Sequence, residues 1–182
     1  MNQLKICLVG KMRSGKSEVI NHLMDKMGEE NVELVDFGDA LKDIAKMLYP
    51  EEMNTKNRKL LTTIGQHMRD LDEDVWINVV KRKIENCNKQ IIVCASCRQQ
   101  NEYDFLNKIG FLFVKVCCKD SLRVLRAEQD GDNFKLEDFV HETESKIVDF
   151  VCKYNIVNNN DKQSLYNQMD GILNIILNER GE

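Results

Sequence analysis

The sequence predicts an α/β fold, a central and mostly parallel five-stranded sheet flanked by helices. Three observations predict it. Five short apolar runs (LKICLVG, VELVDF, QIIVCA, FLFVKVCC and YNIV) alternate with longer segments whose apolar residues recur at helical spacing. The runs are nearly continuous rather than alternating, as strands buried on both faces require. The first run leads directly into a glycine-containing turn and then a helical repeat, a strand–turn–helix order. With 182 residues, 42% of them hydrophobic and 31% charged, the chain is long enough for one domain with a well-buried core.

In chain order, LKICLVG is the first strand. Val19, Ile20, Leu23, Met24 and Met27 then mark a helix stopped by Gly28. VELVDF is the second strand. Leu41, Ile44, Ala45 and Leu48 mark an amphipathic helix ended by Pro50, the single proline. Leu60, Leu61, Ile64, Met68 and Leu71 mark another, and Val75, Trp76, Val79, Val80 and Ile84 a third. QIIVCA is a central-strand candidate, NEYDFLNKIG a helix with a glycine end, and FLFVKVCC a strand. Leu122 and Leu125 begin a helix that runs into the polar break EQDGDNF, and a helix carrying Ile147, Val148 and Val151 follows. YNIV is a short strand, and Leu165, Met169, Ile172, Leu173 and Ile176 form a last amphipathic helix. The long helical excursion between the second and third strands belongs at the carboxyl ends of the strands, where ligands bind in such sheets.

The turn after the first strand reads GKMRSGKS, residues 10–17, which is G-x-x-x-x-G-K-S. This is the phosphate-cradling loop, and its strand-before, helix-after context is met. Glycines at 10 and 15 let backbone N–H groups approach phosphate oxygens. Gly10, Lys11, Arg13, Ser14, Gly15, Lys16 and Ser17 are the candidate ATP-phosphate contacts. Lys16 would bridge the terminal phosphates, and Ser17 would offer its hydroxyl to Mg²⁺ at a helix start whose dipole favours anions. Motors, switches, transporters and kinases share such a loop; a chain of this size with no appended partner-binding region fits a small-molecule kinase.

On the acceptor side, DFGDALK follows the second strand. Asp39 lies at its carboxyl end, either orienting an acceptor or capping the next helix, with Lys42 one turn beyond. DFGDALK resembles the F-A-D-x-L-K stretch of bacteriophage-type deoxynucleoside monophosphate kinases. RKLLTTIGQHMRDLDEDVWINVV is similar to their R-x-L-L-Q-x-x-G-T-E-x-x-R segment and following W-V pair, matched at Arg58, Leu60, Leu61, Gly65, Arg69, Asp74 and Trp76. SCRQQNEYDFL resembles D-x-R-x-x-N-E at Arg98, Asn101 and Glu102. HETE, residues 141–144, and YNIVNNN resemble H-x-S-E and the V-x-N-N ending. The resemblance spans nearly the whole chain through the order and spacing of short motifs.

The resemblance implies a P-loop NTPase fold of the nucleoside monophosphate kinase type, one domain over 1–182. A helical acceptor-binding insertion would occupy about 38–87 and a short lid about 119–137. It implies γ-phosphoryl transfer from ATP, with Mg²⁺, to a deoxynucleoside 5′-monophosphate. Substrate contacts would come from Asp39, Lys42, Arg69, Trp76 and Arg98, and catalytic groups from Lys16, Asp39, Arg98, Arg123 and Arg126. From the residues alone, Trp76 is core or flanks a base, and Arg123 and Arg126 are lid cations or one side of a solvated helix. Glu102 is a partner of Arg98 or a surface acid. His141 caps a helix or pairs with Glu144 and is not assigned to catalysis. The chain departs from the family at Ser96, where an aspartate stands; at Gln99–Gln100, in place of F-P; at Gly38, in place of alanine; and at Gln66, in place of threonine.

A formal net charge of −4 disfavours a nucleic-acid polymer as partner. Seven cysteines, mostly in strand-like runs, read as buried small hydrophobes of a reducing, cytoplasmic setting. CASC at 94–97 has the C-x-x-C spacing but no second pair for zinc, since Cys117 and Cys118 are adjacent. No run approaches a membrane span. The expected partners are small-molecule nucleotides, with a homodimer compatible. A dephospho-coenzyme A or phosphomevalonate kinase, and a catalytically weak nucleotide-binding regulator, remain alternative readings on the same scaffold.

Overall fold

The computed structural model describes residues 3–54, 57–129 and 149–181. In chain order the elements are β1 (Leu4–Val9), α1 (Lys16–Met27), a 3₁₀ turn (Glu29–Asn31), β2 (Val32–Val35), α2 (Asp39–Leu48), α3 (Arg58–Leu71) and α4 (Val75–Glu85). They continue with β3 (Ile91–Cys94), α5 (Gln100–Lys108), β4 (Leu112–Cys117), α6 (Asp120–Gln129), β5 (Tyr154–Val157) and α7 (Lys162–Arg180), the last of the described elements. The chain separates into two compact units, Leu34–Asn88 and the remainder.

The strands form a five-stranded sheet in the order β2-β3-β1-β4-β5. β1 lies between β3 and β4, in parallel to both, with Ile6 opposite Val93 and Cys7 opposite Phe113. β5 extends the sheet in parallel, Val116 opposite Ile156. Parallel neighbours need crossover segments, which is why every described link between these pairs contains a helix. The connections out of β1 and β3 reach opposite sides of the sheet, so the carboxyl end of β1 is a topological switch point, the usual place for a ligand in an open α/β sheet.

The central strands are dry because their side chains on both faces are covered. Ile6, Leu8, Ile92 and Leu23 of α1 are 0% exposed, and Leu173 of α7 is 1% exposed. Each such side chain contributes about 1.5–3 kcal/mol of transfer free energy. Leu165, Met169, Ile172, Leu173 and Ile176 are all buried, as their spacing predicts. α1 and α7 are also joined by polar contacts. His22 stacks on Tyr166 with ring centroids 4.2 Å apart, and Asp170 takes both His22 Nε2 at 2.8 Å and Lys26 Nζ at 2.9 Å.

In the smaller unit α2, α3 and α4 pack together, around Ala45, Trp76, Ile77, Val80 and Ile84. Gly65 permits the close contact of α3 with α2, since a Cβ there would lie 3.2 Å from Leu41 Cδ2. Asn57 caps α3, its side chain accepting from the Leu60 N–H at 3.1 Å.

Several expectations shift. β2 stops at Val35, two residues before the predicted end, because Asp36 Oδ1 accepts the Gly38 N–H at 2.6 Å and turns the chain. Leu48 and Leu71 satisfy the helical spacing but end up exposed, at the last residues of their helices. Within the predicted lid, α6 covers 120–129, and residues 130–137 lie outside the described residues. So do His141–Glu144 and most of the helix expected around Ile147 and Val148, while Val151 is exposed.

Candidate phosphate-binding site

Residues 10–17 leave the carboxyl end of β1 and enter α1 at Lys16. Two backbone conformations shape the loop: Arg13 has φ 60° and Gly15 φ 105°. A turn of this kind, with left-handed residues on either side of Ser14, is the backbone shape from which anion-binding nests are made. The glycines are there for space as well as torsion. A Cβ on Gly10 would stand 2.5 Å from the Val116 carbonyl oxygen, and one on Gly15 would collide with the Asn158 amide.

The first turn of α1 has no side-chain cap, whereas α3 and α7 are capped by Asn57 and Asp161. An α-helix starts with orphan N–H donors and a partial positive charge, so an open start directly after the loop is suited to an anion. Ser17, the second residue of α1, is exposed there, and Ser14 Oγ is buried with no hydrogen-bond partner. A glycine cradle, an orphaned hydroxyl and an uncapped helix are the features that a bound triphosphate would satisfy. Lys16 Nζ meanwhile donates to the loop's own carbonyls, Gly10 at 2.6 Å and Lys11 at 3.1 Å. The ammonium is thus already folded over the loop where it would meet terminal phosphates.

The outside of the loop is held by residues from the other end of the unit. Arg123 Nε donates to the Met12 carbonyl at 2.6 Å, and its Nη1 pairs with Asp120 Oδ1 at 2.6 Å. Asp120 also faces Lys11 at 3.8 Å. The hydrogen bond from Arg123 is the main reason the Asp120 carboxyl is held below its ordinary range. Arg126 donates to the Arg13 carbonyl at 3.4 Å and to the Asn158 carbonyl at 3.2 Å. Asn158 Nδ2 donates to the Ser14 carbonyl at 2.8 Å. The helical spacing of Arg123 and Arg126 predicts a solvated helix face or lid cations, but Arg123 is 1% exposed and faces the loop instead. Its helix sits against the back of the loop, and the only way to bury a guanidinium there is to satisfy it with a carboxylate and a carbonyl. Asn158 is a functional residue that no sequence motif assigns a role. Its one signal was membership of the NNN run just beyond β5.

Arg98 lies between β3 and α5 and is exposed. Its backbone N–H, with that of Gln99, goes to Glu102 Oε2 at 2.8 and 3.1 Å. Glu102 is therefore not a surface acid, and it does meet Arg98, through the backbone N–H. It is 3% exposed and closes the start of α5 as a capping carboxylate. Ser96, two residues before Arg98, lies 4.0 Å from Cys94 Sγ.

In the smaller unit, Asp39 is the first residue of α2, and Gly38 takes the cap position. The Asp39 carboxylate pairs with Lys42 at 3.0 Å, and Asp36 faces the same ammonium at 3.7 Å. Burial would lower Lys42, but the hydrogen bond to Asp39 and the nearby carboxylates outweigh it and raise it. Arg69 is half-buried on α3, with Nη1 3.5 Å from where a Gly65 Cβ would be. Trp76, whose residue type allows either a core or a base-flanking place, is 2% exposed, and its indole N–H donates to the Gly65 carbonyl at 3.4 Å. That is the core placement; a large aromatic on the apolar face of α4 is worth more inside than out.

All seven cysteines are free. Burial, reinforced by Cys94 and Cys97, pushes the Cys7 thiol well above its usual range, which favours inert thiols over a thiolate site. Among the described residues no group of three or more His, Cys, Asp or Glu is placed to hold a metal, and no helix is long and apolar enough to cross a membrane.

Comparison with known proteins agrees with this geometry. The AAA domain family matches residues 6–169. Among solved structures, the chain is similar to shikimate kinase from Acinetobacter baumannii in complex with shikimate, at 21% identity over 100% of this chain and 97% of that one, TM-score 0.60. It is similar to a gluconokinase from Sinorhizobium meliloti 1021 at 16% identity, 97% and 95% coverage, TM-score 0.61. TT1252 from Thermus thermophilus aligns at 15% identity, 95% and 97% coverage, TM-score 0.61. At these identities the likeness is one of fold, that of the P-loop kinases. No curated protein sequence matches.

Proposed function

We propose, for a chain that belongs to the AAA domain family, that it is an ATP-dependent small-molecule kinase whose acceptor is a deoxynucleoside 5′-monophosphate. The observation that carries the reading is the phosphate loop: an uncapped α1 behind Gly10 and Gly15, with Lys16 folded over it. Backbone N–H groups of the loop and of the start of α1, with the Lys16 ammonium, would hold the β- and γ-phosphates. Ser17 would hold Mg²⁺, which neutralises phosphate charge when bound.

An acceptor phosphate oxygen attacks the γ-phosphorus, the bond to the β,γ-bridging oxygen breaks, and ADP leaves. The chain's task is placement and charge neutralisation rather than covalent help. A monophosphate is largely ionised at neutral pH, because its second pKa is about 6. Its oxygen therefore attacks without a general base. This supports a phosphate acceptor over an alcohol in a chain whose Asp36 and Asp39 carboxylates both face Lys42. Asp39, Lys42 and Arg69 of the insertion are proposed as acceptor contacts, and Arg98, by the family resemblance, as another. Trp76 supports that insertion from its core. The single-domain arrangement, with an insertion at about 38–87 and a lid at about 119–137, is part of this proposal, as is a cytoplasmic setting.

The neighbouring gluconokinase and shikimate kinase keep a second acceptor class in the test. The protein is incubated with ATP, Mg²⁺ and the four deoxynucleoside monophosphates, then with gluconate and shikimate, and products are resolved by anion-exchange chromatography. A deoxynucleoside diphosphate is the expected product. Transfer only to gluconate or shikimate refutes the acceptor assignment. Tight ATP binding without transfer to any acceptor refutes the enzyme and leaves a nucleotide-binding regulator.

A further inference from the structure

Three consecutive carbonyls of the phosphate loop are each engaged by a side chain from the far part of the sequence. Met12 O accepts from Arg123 Nε at 2.6 Å, Arg13 O from Arg126 Nη1 at 3.4 Å, and Ser14 O from Asn158 Nδ2 at 2.8 Å. In a trans peptide the carbonyl of one residue and the N–H of the next point in opposite directions. Drawing these three carbonyls toward α6 and the β5–α7 turn therefore turns the N–H groups of Arg13 and Gly15 away from them, while that of Ser14 closes a turn onto the Lys11 carbonyl at 3.2 Å. We propose that Arg123, Arg126 and Asn158 form an outer clamp that presets the loop for a triphosphate, making them positioning residues for the donor; the role as donor site rests on the kinase reading above.

Two further observations support the clamp. Arg13 is a non-glycine residue at φ 60°, a conformation that persists only where surrounding contacts hold it. The Arg123 and Arg126 bonds fall on the carbonyls either side of it. Second, a buried guanidinium is expensive, and an apolar side chain of similar volume would commonly serve stability as well. Arg123 is 1% exposed and satisfied by the loop carbonyl and Asp120. Asn158 is 6% exposed and receives Arg126 on its own oxygens at 3.2 and 3.3 Å while donating to Ser14. The clamp is thus cross-linked. Gly15 completes it, because any Cβ there would occupy the space of the Asn158 amide.

The test separates donor phosphates from nucleoside and acceptor. Asn158→Asp keeps the size and the acceptor for Arg126 but sets a carboxylate oxygen against the Ser14 carbonyl. Arg123→Lys keeps a cation and loses the Nε donor; Arg123→Met loses both. Calorimetry measures binding of inorganic tripolyphosphate and of ATP, each with Mg²⁺, and circular dichroism checks the fold. Loss of a charge-assisted or buried loop bond predicts ~10- to 100-fold weaker binding of both probes to folded Asn158→Asp. The loss should appear in the KM for ATP with the acceptor KM unchanged, and Arg123→Lys should recover part of what Arg123→Met loses. A folded Asn158→Asp that binds tripolyphosphate as wild type does overturns the clamp. Weakening confined to ATP, with tripolyphosphate unaffected, also overturns it, since the contact would then be to the nucleoside. A wild-type protein that binds neither probe overturns both the clamp and the kinase reading. Wild-type binding that Asn158→Asp impairs, with no acceptor turned over, sustains the clamp while refuting the kinase.

Discussion

Gly15→Ala probes the join between loop and clamp, and its cost can be worked from the structure. Gly15 has φ 105°, where an L side chain pays roughly 1–2 kcal/mol. The new methyl would also collide with Asn158 Nδ2 and come within 3.2 Å of its Cγ. Asn158 is short and buried, so it can yield only by rotating away from the Ser14 carbonyl, now 2.8 Å distant. That forfeits one hydrogen bond, a net ~0.5–1.5 kcal/mol. The expected destabilisation is about 1.5–3.5 kcal/mol. Urea unfolding followed by far-ultraviolet circular dichroism reads it as a lower midpoint at unchanged slope. Pairing the change with Asn158→Gly removes the obstacle and leaves the torsional part alone. The double variant should therefore be more stable than the sum of the singles by ~0.5–1.5 kcal/mol. Strict additivity, or a Gly15→Ala protein within about 0.5 kcal/mol of wild type, refutes the packing argument.

Lys16→Ala removes the ammonium that lies over Gly10 and Lys11, so phosphoryl transfer should fall by at least ~10²-fold while the chain stays folded; near-normal turnover would place ATP elsewhere. The Glu18, Asp120 and Asp170 carboxyls all lie below their ordinary values. For Glu18 the main cause is the hydrogen bond from Tyr166, for Asp120 that from Arg123, and at Asp170 burial opposes but Lys26 and His22 prevail. A depressed carboxyl adds stability above its unfolded pKa, about 3.9–4.3, and loses it as pH falls through the folded value. The urea midpoint should therefore drop between pH 5 and pH 3 by more than in a Glu18→Gln/Asp170→Asn variant, and equal drops would refute the assignment.

What could be read from the chain was whatever neighbouring residues encode together. Apolar runs such as LKICLVG and QIIVCA, and repeats such as Leu165 to Ile176, are local periodicities, and they became strands and helices at nearly the expected places. The phosphate loop was equally legible, because its glycines and lysine act through a backbone shape set within eight residues. Side-chain environment was another matter. Nothing adjacent to Arg123 says it is sealed against Met12, 111 residues away, and nothing near Asn158 says its amide meets Ser14, 144 residues away. Those meetings exist only because β4 and β5 line up beside β1 and set α6 and the β5–α7 turn against the loop. Strand order is a collective result of packing the whole sheet, whereas helix and strand are decided by a dozen residues or fewer. The same distinction put Trp76 in a core and turned Glu102 into a cap: residue type told what each could do, and only the tertiary contacts decided which of those things it does.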